Sequence, residues 1–132
     1  MEGGQTNEFR PLILVAEDDD SNFKLIKAII GKKCDIQWAK NGEEIVALFK
    51  EYGKEAKAIL MDIKMPVMNG LDATKIIREE NKEIPIIMQT AYAFSSDKEN
   101  AMNAGASEVL VKPITLSIFR GTLTKYFPEL VW

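Results

Sequence analysis

From Pro11 onward the chain alternates short, unbroken apolar runs with longer amphipathic stretches. Leu12-Ile13-Leu14-Val15-Ala16 is apolar at every position, the pattern of a strand covered on both faces. Ser21 to Lys33 places Phe23, Ile26, Ile29 and Ile30 at helical spacing, with Gly31 near the end and Asp20 or Ser21 as the expected N-cap. Asp35-Ile36-Gln37-Trp38 alternates with period two, which suits an edge strand. Asn41, with Glu44 three residues on, predicts a helix carrying Ile45, Leu48 and Phe49. Ala58-Ile59-Leu60-Met61 reads as a buried strand, and the turn-rich Met65 to Gly70 leads into a helix with Leu71, Ile76 and Ile77. Ile84-Pro85-Ile86-Ile87-Met88 is a further strand, its proline tolerated at the margin. Ser96 and Glu99 have the spacing of a capping box, and Gly105 closes that helix. Val109-Leu110-Val111 and a helix over Thr115 to Phe127 complete the pattern. Strand and helix alternate five times. Such alternation predicts an α/β fold, with a parallel sheet, helices on both faces and right-handed crossovers.

In open parallel sheets, ligands bind beyond the carboxyl ends of the strands. The residues that follow each predicted strand therefore carry the candidate chemistry. They are Glu17-Asp18-Asp19-Asp20, then Asp62, then Thr90-Ala91-Tyr92, then Lys112-Pro113. Three acidic groups, a hydroxyl and a lysine are expected to meet at one edge of the sheet. The first strand-to-helix turn lacks the glycines that let backbone N–H groups cradle a nucleotide phosphate. Four consecutive carboxylates would instead repel it. At about 4 Å, two unit charges repel by roughly 4 kcal/mol at an effective dielectric near 20, so the run calls for solvation or a cation. Carboxylate oxygens without His or Cys beside them favour magnesium, calcium or manganese over zinc. Asp18-x-Asp20-x-Asn22 imitates the start of a calcium loop, but Phe23 replaces its glycine and Ile29 its bidentate glutamate. A solvated acidic loop with a helix cap explains the run equally well when it is taken alone.

Composition narrows the rest. The 132 residues fit one domain, here residues 11–132 behind a polar, disordered lead-in over residues 1–10. A net charge of -3, from 17 basic and 20 acidic residues, counts against a nucleic-acid binder. No segment is long and apolar enough to span a membrane, and the start lacks the pattern of a signal peptide. Cys34 stands alone, so a reducing, cytoplasmic setting is expected. There is no histidine, which removes imidazole bases, His-containing triads and His-based zinc sites together.

Glu17-Asp18, Met61-Asp62-Ile63-Lys64-Met65-Pro66-Val67-Met68-Asn69-Gly70, Thr90-Ala91 and Lys112-Pro113 stand in register, each just after a predicted strand. With these motifs the chain, from about Leu12 to Phe127, resembles the receiver domain of two-component response regulators. The resemblance implies a doubly wound five-stranded parallel sheet of order 2-1-3-4-5, the flavodoxin-like receiver fold. It implies Asp62 as phosphoacceptor, with Mg²⁺ (or Mn²⁺) held by Asp18, Asp62 and the backbone carbonyl of Lys64, and by Glu17 through a water. Phosphoryl contacts would come from Thr90, Lys112 and the backbone N–H groups of Ile63 and Ala91, after a cis Lys112–Pro113 bond. Lys64 and Tyr92 occupy positions similar to the family's modulators of hydrolysis rate. Val109 stands where many receivers carry a switching Tyr or Phe, so an aromatic rotamer switch is in doubt there.

The implied partner is a histidine kinase or a histidine phosphotransfer domain, with no nucleic acid or membrane contact by this domain. Homodimerisation on phosphorylation is common in the family. The domain would act on itself and not as a turnover enzyme. Glu17-Asp18-x-x-x-Asn22-x-x-Leu25 and Thr90-Ala91-Tyr92-Ala93 resemble receivers attached to hybrid sensor histidine kinases, whose parent chains can be membrane-anchored. Leu25 could face outward to dock the partner, although helix packing explains it as well. The alternatives are a stand-alone single-domain regulator and a degenerate receiver that is not phosphorylated. A Mg-dependent phosphatase with an Asp-x-Asp nucleophile is the remaining one, and it fits poorly because Asn22 stands where that family wants Thr or Val.

Overall fold

A computed structural model describes residues 9–92 and 96–132. Residues 1–8 of the expected lead-in, and Ala93 of the Thr90-Ala91-Tyr92-Ala93 run, lie outside the described residues. Phe9 and Arg10, the last two residues of that lead-in, are held in place. The Phe9 ring lies 6.1 Å from that of Phe127, and the Arg10 guanidinium donates to the carbonyls of Gly31, Lys32 and Cys34.

Ten elements alternate along the chain: β1 (Leu12–Ala16), α1 (Asp20–Ile30), β2 (Asp35–Ala39), α2 (Gly42–Tyr52), β3 (Ala56–Asp62), α3 (Gly70–Glu80), β4 (Ile86–Thr90), α4 (Asp97–Ala104), β5 (Glu108–Val111) and α5 (Leu116–Tyr126). The sheet is parallel throughout, in the order β2-β1-β3-β4-β5, as the resemblance implies. The alternating β2 is an edge strand, and the continuous apolar runs of β1, β3 and β4 fill the centre.

Side-chain alternation divides the core in two. Leu14, Ile59, Met61, Ile86 and Met88 pack against Ile45 and Phe49 of α2, Ile77 of α3 and Ala101 of α4. Ile13, Val15, Leu60 and Ile87 pack on the other face, against Ile26 and Ile30 of α1 and Phe119 and Leu123 of α5. Cys34 is buried as a free thiol among this second set, and burial pushes its pKa up to about 11. At the amino-terminal edge of the sheet, Arg78 ties α3 to its neighbours. It donates to the carbonyls of Gly105 (2.8 Å), Asn81 (3.1 Å) and Ile84 (2.8 Å) and to Ser107 Oγ (3.2 Å).

Helix caps follow the sequence at Asn41 and Thr115, whose side chains accept from the N–H groups of Glu44 and Ile118. Two caps differ from expectation. Asp19, not Asp20 or Ser21, caps α1 by accepting from Asn22 N–H at 2.9 Å, because the chain turns into the helix one residue earlier. Ser96 forms no capping box: at φ -68° and ψ -5° it already has helical geometry, and its hydroxyl makes no cap bond. Gly105 ends α4 at φ 117°, a left-handed conformation that favours glycine.

Candidate functional site

Strand alternation places four side chains on one face at the carboxyl edge of the sheet. Glu17 follows Val15 on β1, Asp62 follows Leu60 on β3, Gln89 follows Ile87 on β4, and Lys112 follows Leu110 beyond β5. They line one cleft of about 270 Å³, together with Asp18, Asn22, Lys64, Thr90 and Ala91. Glu17 is fully buried, and Asp62 is 5% exposed. Oxygens of Glu17, Asp18 and Asp62 lie within 4.8 Å of one another. Lys112 Nζ donates to Asp62 Oδ2 at 2.9 Å and stands 3.8 Å from Glu17 Oε1. The bond between Lys112 and Pro113 is cis.

The electrostatics of this group are one-sided. Burial, followed by the charge of Asp62, pushes the Glu17 carboxyl up from 4.5 to about 7, against the Asp19 N–H it accepts and the Lys112 charge. Burial works to lower the Lys112 pKa, but the hydrogen bond and charge of Asp62, then the charges of Glu17 and Asp18, outweigh it and raise it. Glu17 Oε1 is sealed from solvent and accepts no hydrogen bond. Three clustered carboxylates answered by a single ammonium, with an orphaned buried oxygen among them, are a donor set for a hard divalent cation. The residues fit the ion.

The loop after β3 is tightly held. Gly70 N–H donates to the Ile63 carbonyl at 2.8 Å, and Gly42 N–H, at the start of α2, donates to the Met68 carbonyl at 2.8 Å. A Cβ on Gly70 would collide with the carbonyl oxygen of Asp62, so only glycine allows α3 to start so close to the acceptor strand. Met68 N–H bonds the Pro66 carbonyl at 2.7 Å across Val67, whose φ of 69° is a strained value for a β-branched residue.

Other expected site residues are placed differently. Ile63 N–H donates to the Gln89 carbonyl at 3.2 Å, extending the β3–β4 ladder, and is therefore engaged away from the cleft. Lys64 N–H and Ala91 N–H have no hydrogen-bond partner among the described residues. Thr90 borders the cleft, but its hydroxyl is engaged with α4, donating to Asp97 Oδ2 at 3.3 Å and accepting Tyr92 N–H at 3.2 Å. Tyr92 is 58% exposed, and Lys64 Nζ stands 5.4 Å from the centre of its ring, so the two expected modulators meet at the rim. Val109 is half-buried, packs against the core opposite Met88 and does not border the cleft.

Sequence reading missed two participants. Gln89 is buried beside Asp62 with its Nε2 unpartnered, and its signal was a polar residue interrupting an apolar strand. Trp38 donates its indole N–H to the Glu17 carbonyl at 2.8 Å and stacks on Phe23 of α1 at 3.9 Å, fixing the acidic loop against β2.

Comparison with known proteins agrees with this geometry. The family model described as response regulator receiver domain matches residues 13–123. Hybrid signal transduction histidine kinase I of Dictyostelium discoideum is 38% identical over 129 residues, covering 89% of this chain. The chain spans only 7% of that relative's length. The receiver domain of sensor histidine kinase PA1611 from Pseudomonas aeruginosa, solved with magnesium coordinated in its active-site cleft, superposes with a TM-score of 0.83 at 31% identity. That match covers 91% of this chain and 99% of the other. The receiver domain of Ssk1 from Saccharomyces cerevisiae, solved in complex with the histidine phosphotransfer protein Ypd1, matches with a TM-score of 0.82 at 28% identity, over 92% and 93% of the two chains. By sequence, topology and the carboxylate edge alike, the chain belongs to the response regulator receiver domain family.

Proposed function

We propose that this domain accepts a phosphoryl group on Asp62 from a phosphohistidine on a histidine kinase or histidine phosphotransfer domain, and changes conformation as a result. The observation that carries the reading is the buried Asp62 carboxylate, poised between the Lys112 ammonium at 2.9 Å and the orphaned Glu17 oxygen. An Asp62 oxygen forms the new bond to phosphorus as the donor's P–N bond breaks, and the leaving imidazole nitrogen takes up a proton. Asp18, Asp62 and the Lys64 carbonyl would hold Mg²⁺ or Mn²⁺, with Glu17 reaching the ion through a water. Bound there, the ion would neutralise the carboxylates and offset charge on the transferring group. Lys112 keeps its proton and exchanges the Asp62 oxygen for a phosphoryl oxygen.

The unpartnered N–H groups of Ala91 and Lys64 are the available backbone donors, so Lys64 takes the part expected of Ile63. Thr90 can join them only by leaving Asp97, which links the acceptor to α4. The Dictyostelium relative supports an origin as the receiver segment of a hybrid signal transduction histidine kinase. Incubation with phosphoramidate and Mg²⁺ tests the chemistry by intact mass. The expected result is one phosphate adduct, absent in Asp62→Asn. An adduct that persists in that variant, or no adduct in the parent, overturns the reading.

A further inference from the structure

Helix α1 carries a charge pattern that the phosphoryl chemistry does not use. From Ser21 to Cys34 there are four lysines, Lys24, Lys27, Lys32 and Lys33, and no acidic residue, in a chain whose net charge is -3. Lys24, Lys27 and Lys32 are exposed and make no ion pair with any described residue. Together with Ala28 and Gly31 they border one shallow surface groove that runs from α1 onto the turn after it. Between them Leu25 is 51% exposed, and Ala28 is exposed as well. The helix dipole accounts for a lysine in the last turn, such as Lys27, but not for Lys24 in the middle or for the exposed leucine beside it.

The stripe also has a direction. Leu25 lines an apolar groove of about 290 Å³ together with Ile26, Pro113, Ile114 and Phe119, and Lys112 of the acceptor site lines the same groove. Whatever covers Leu25 and Ala28 is thereby brought to the edge of the Asp62 cleft. From there Lys24 and Lys27 lie about 4.5 Å apart along the α1 axis, and Lys32 follows in the turn just beyond its end. A lipid surface or a polyanion would have no reason to be aligned with the acceptor, whereas a phosphoryl donor must be.

We infer that the donor protein serving this domain presents an acidic face, with its carboxylates about one to three helical turns (roughly 5–16 Å) from its phosphohistidine, around an apolar patch that meets Leu25 and Ala28. This rests on the reading of Asp62 as phosphoacceptor and adds the chemistry of its partner. The lysines steer the encounter and fix its register, and the apolar contact and Lys112 groove complete the docked complex. The acidic run Asp18 to Asp20 at the top of α1 repels the same face, which sets the direction in which the donor lies along the helix.

The test uses the full chain and phosphorylated Ypd1 in two engineered forms, one with glutamates and one with lysines on the helix surface flanking its histidine. The parent chain is expected to take phosphate from the glutamate form with a kcat/KM at least about tenfold above the lysine form at low ionic strength, the gap closing in high salt. In Lys24→Glu/Lys27→Glu/Lys32→Glu the preference is expected to reverse, and in the corresponding triple glutamine variant to disappear. Labelling by phosphoramidate should be equal in all of them. Donor rates indifferent to charge in every variant, with phosphoramidate labelling intact, would overturn the inference and leave the phosphoacceptor reading standing. Loss of phosphoramidate labelling in the parent chain would instead remove the reading beneath it. Binding to phosphatidylserine vesicles that the triple glutamate variant abolishes, without any effect on donor preference, would assign the stripe to a membrane and also overturn the inference.

Discussion

Replacing Glu17 with glutamine should make the metal-free protein more stable near pH 8 while weakening its hold on magnesium. In the folded chain this carboxyl is fully buried, has one oxygen without a hydrogen bond, and lies beside Asp62. Its pKa therefore stands at about 7 instead of 4.5. The native state then binds more protons than the unfolded chain between these values, so stability is highest below pH 4.5 as far as this group is concerned. It falls as the pH rises through 7. At about 1.4 kcal/mol for each tenfold change in proton affinity, the upper limit of the loss is about 3 kcal/mol. Because the neighbouring charges offset part of it, roughly 1–2 kcal/mol is expected in practice.

Urea unfolding from pH 5.5 to 8.5 in EDTA measures it. The chain has no histidine, so the side chain that ordinarily titrates in this window is missing and the curve is unusually easy to assign. Stability of the parent chain should decline across the window, and magnesium at about a hundredfold excess over its Kd should restore about 2.7 kcal/mol at the alkaline end. Glu17→Gln should be flat without metal and gain less from magnesium. A parent chain equally stable at both ends in EDTA, or a glutamine variant with the same slope, would refute the argument.

Gly121 lies inside α5, where an added Cβ would meet nothing within 4 Å, so Gly121→Ala should stabilise the fold by about 0.5–1 kcal/mol in urea unfolding. Arg78→Met should cost about 2–4 kcal/mol in the same assay, since it strands three carbonyls that now share one guanidinium and removes its bond to Ser107 Oγ. In a Trp132→Phe background, the emission of Trp38 should change saturably with magnesium, because its indole is bonded to Glu17 and lies 4.8 Å from Lys40, itself paired with Asp20. Thermal stabilisation by magnesium with no change in emission would contradict that coupling.

The order of the elements was legible because a strand buried on both faces must be apolar at every position, as Leu12 to Ala16 is, while an edge strand such as Asp35 to Ala39 can alternate. The site was legible for a related reason. Glu17, Asp62 and Lys112 are the first polar groups at the end of apolar strands, Thr90 follows Gln89 at the end of β4, and topology brings those ends together. What stayed hidden depends on the path of single hydrogen bonds. Whether Ile63 or Lys64 keeps a free N–H is decided by how far the β3–β4 ladder runs, and that is a matter of register. Ser96 has the composition of a cap but lies in a helical conformation, which the chain before α4 determines and the residue type does not. Trp38 reads as an ordinary edge-strand aromatic until β2 is laid beside β1, where its indole finds the Glu17 carbonyl.

The alternation that separates the two cores also separates two kinds of work. Gln89 lies beside the carboxylates while the hydroxyl of Thr90, its neighbour on β4, is held by Asp97 of α4, so in the proposed switch a single peptide step would join the acceptor cleft to α4. In the proposed switch, a pull on the Thr90 hydroxyl toward Asp62 would draw it away from Asp97, and the carboxyl end of β4 would act as a rocker across a sheet whose central strands are otherwise sealed on both sides.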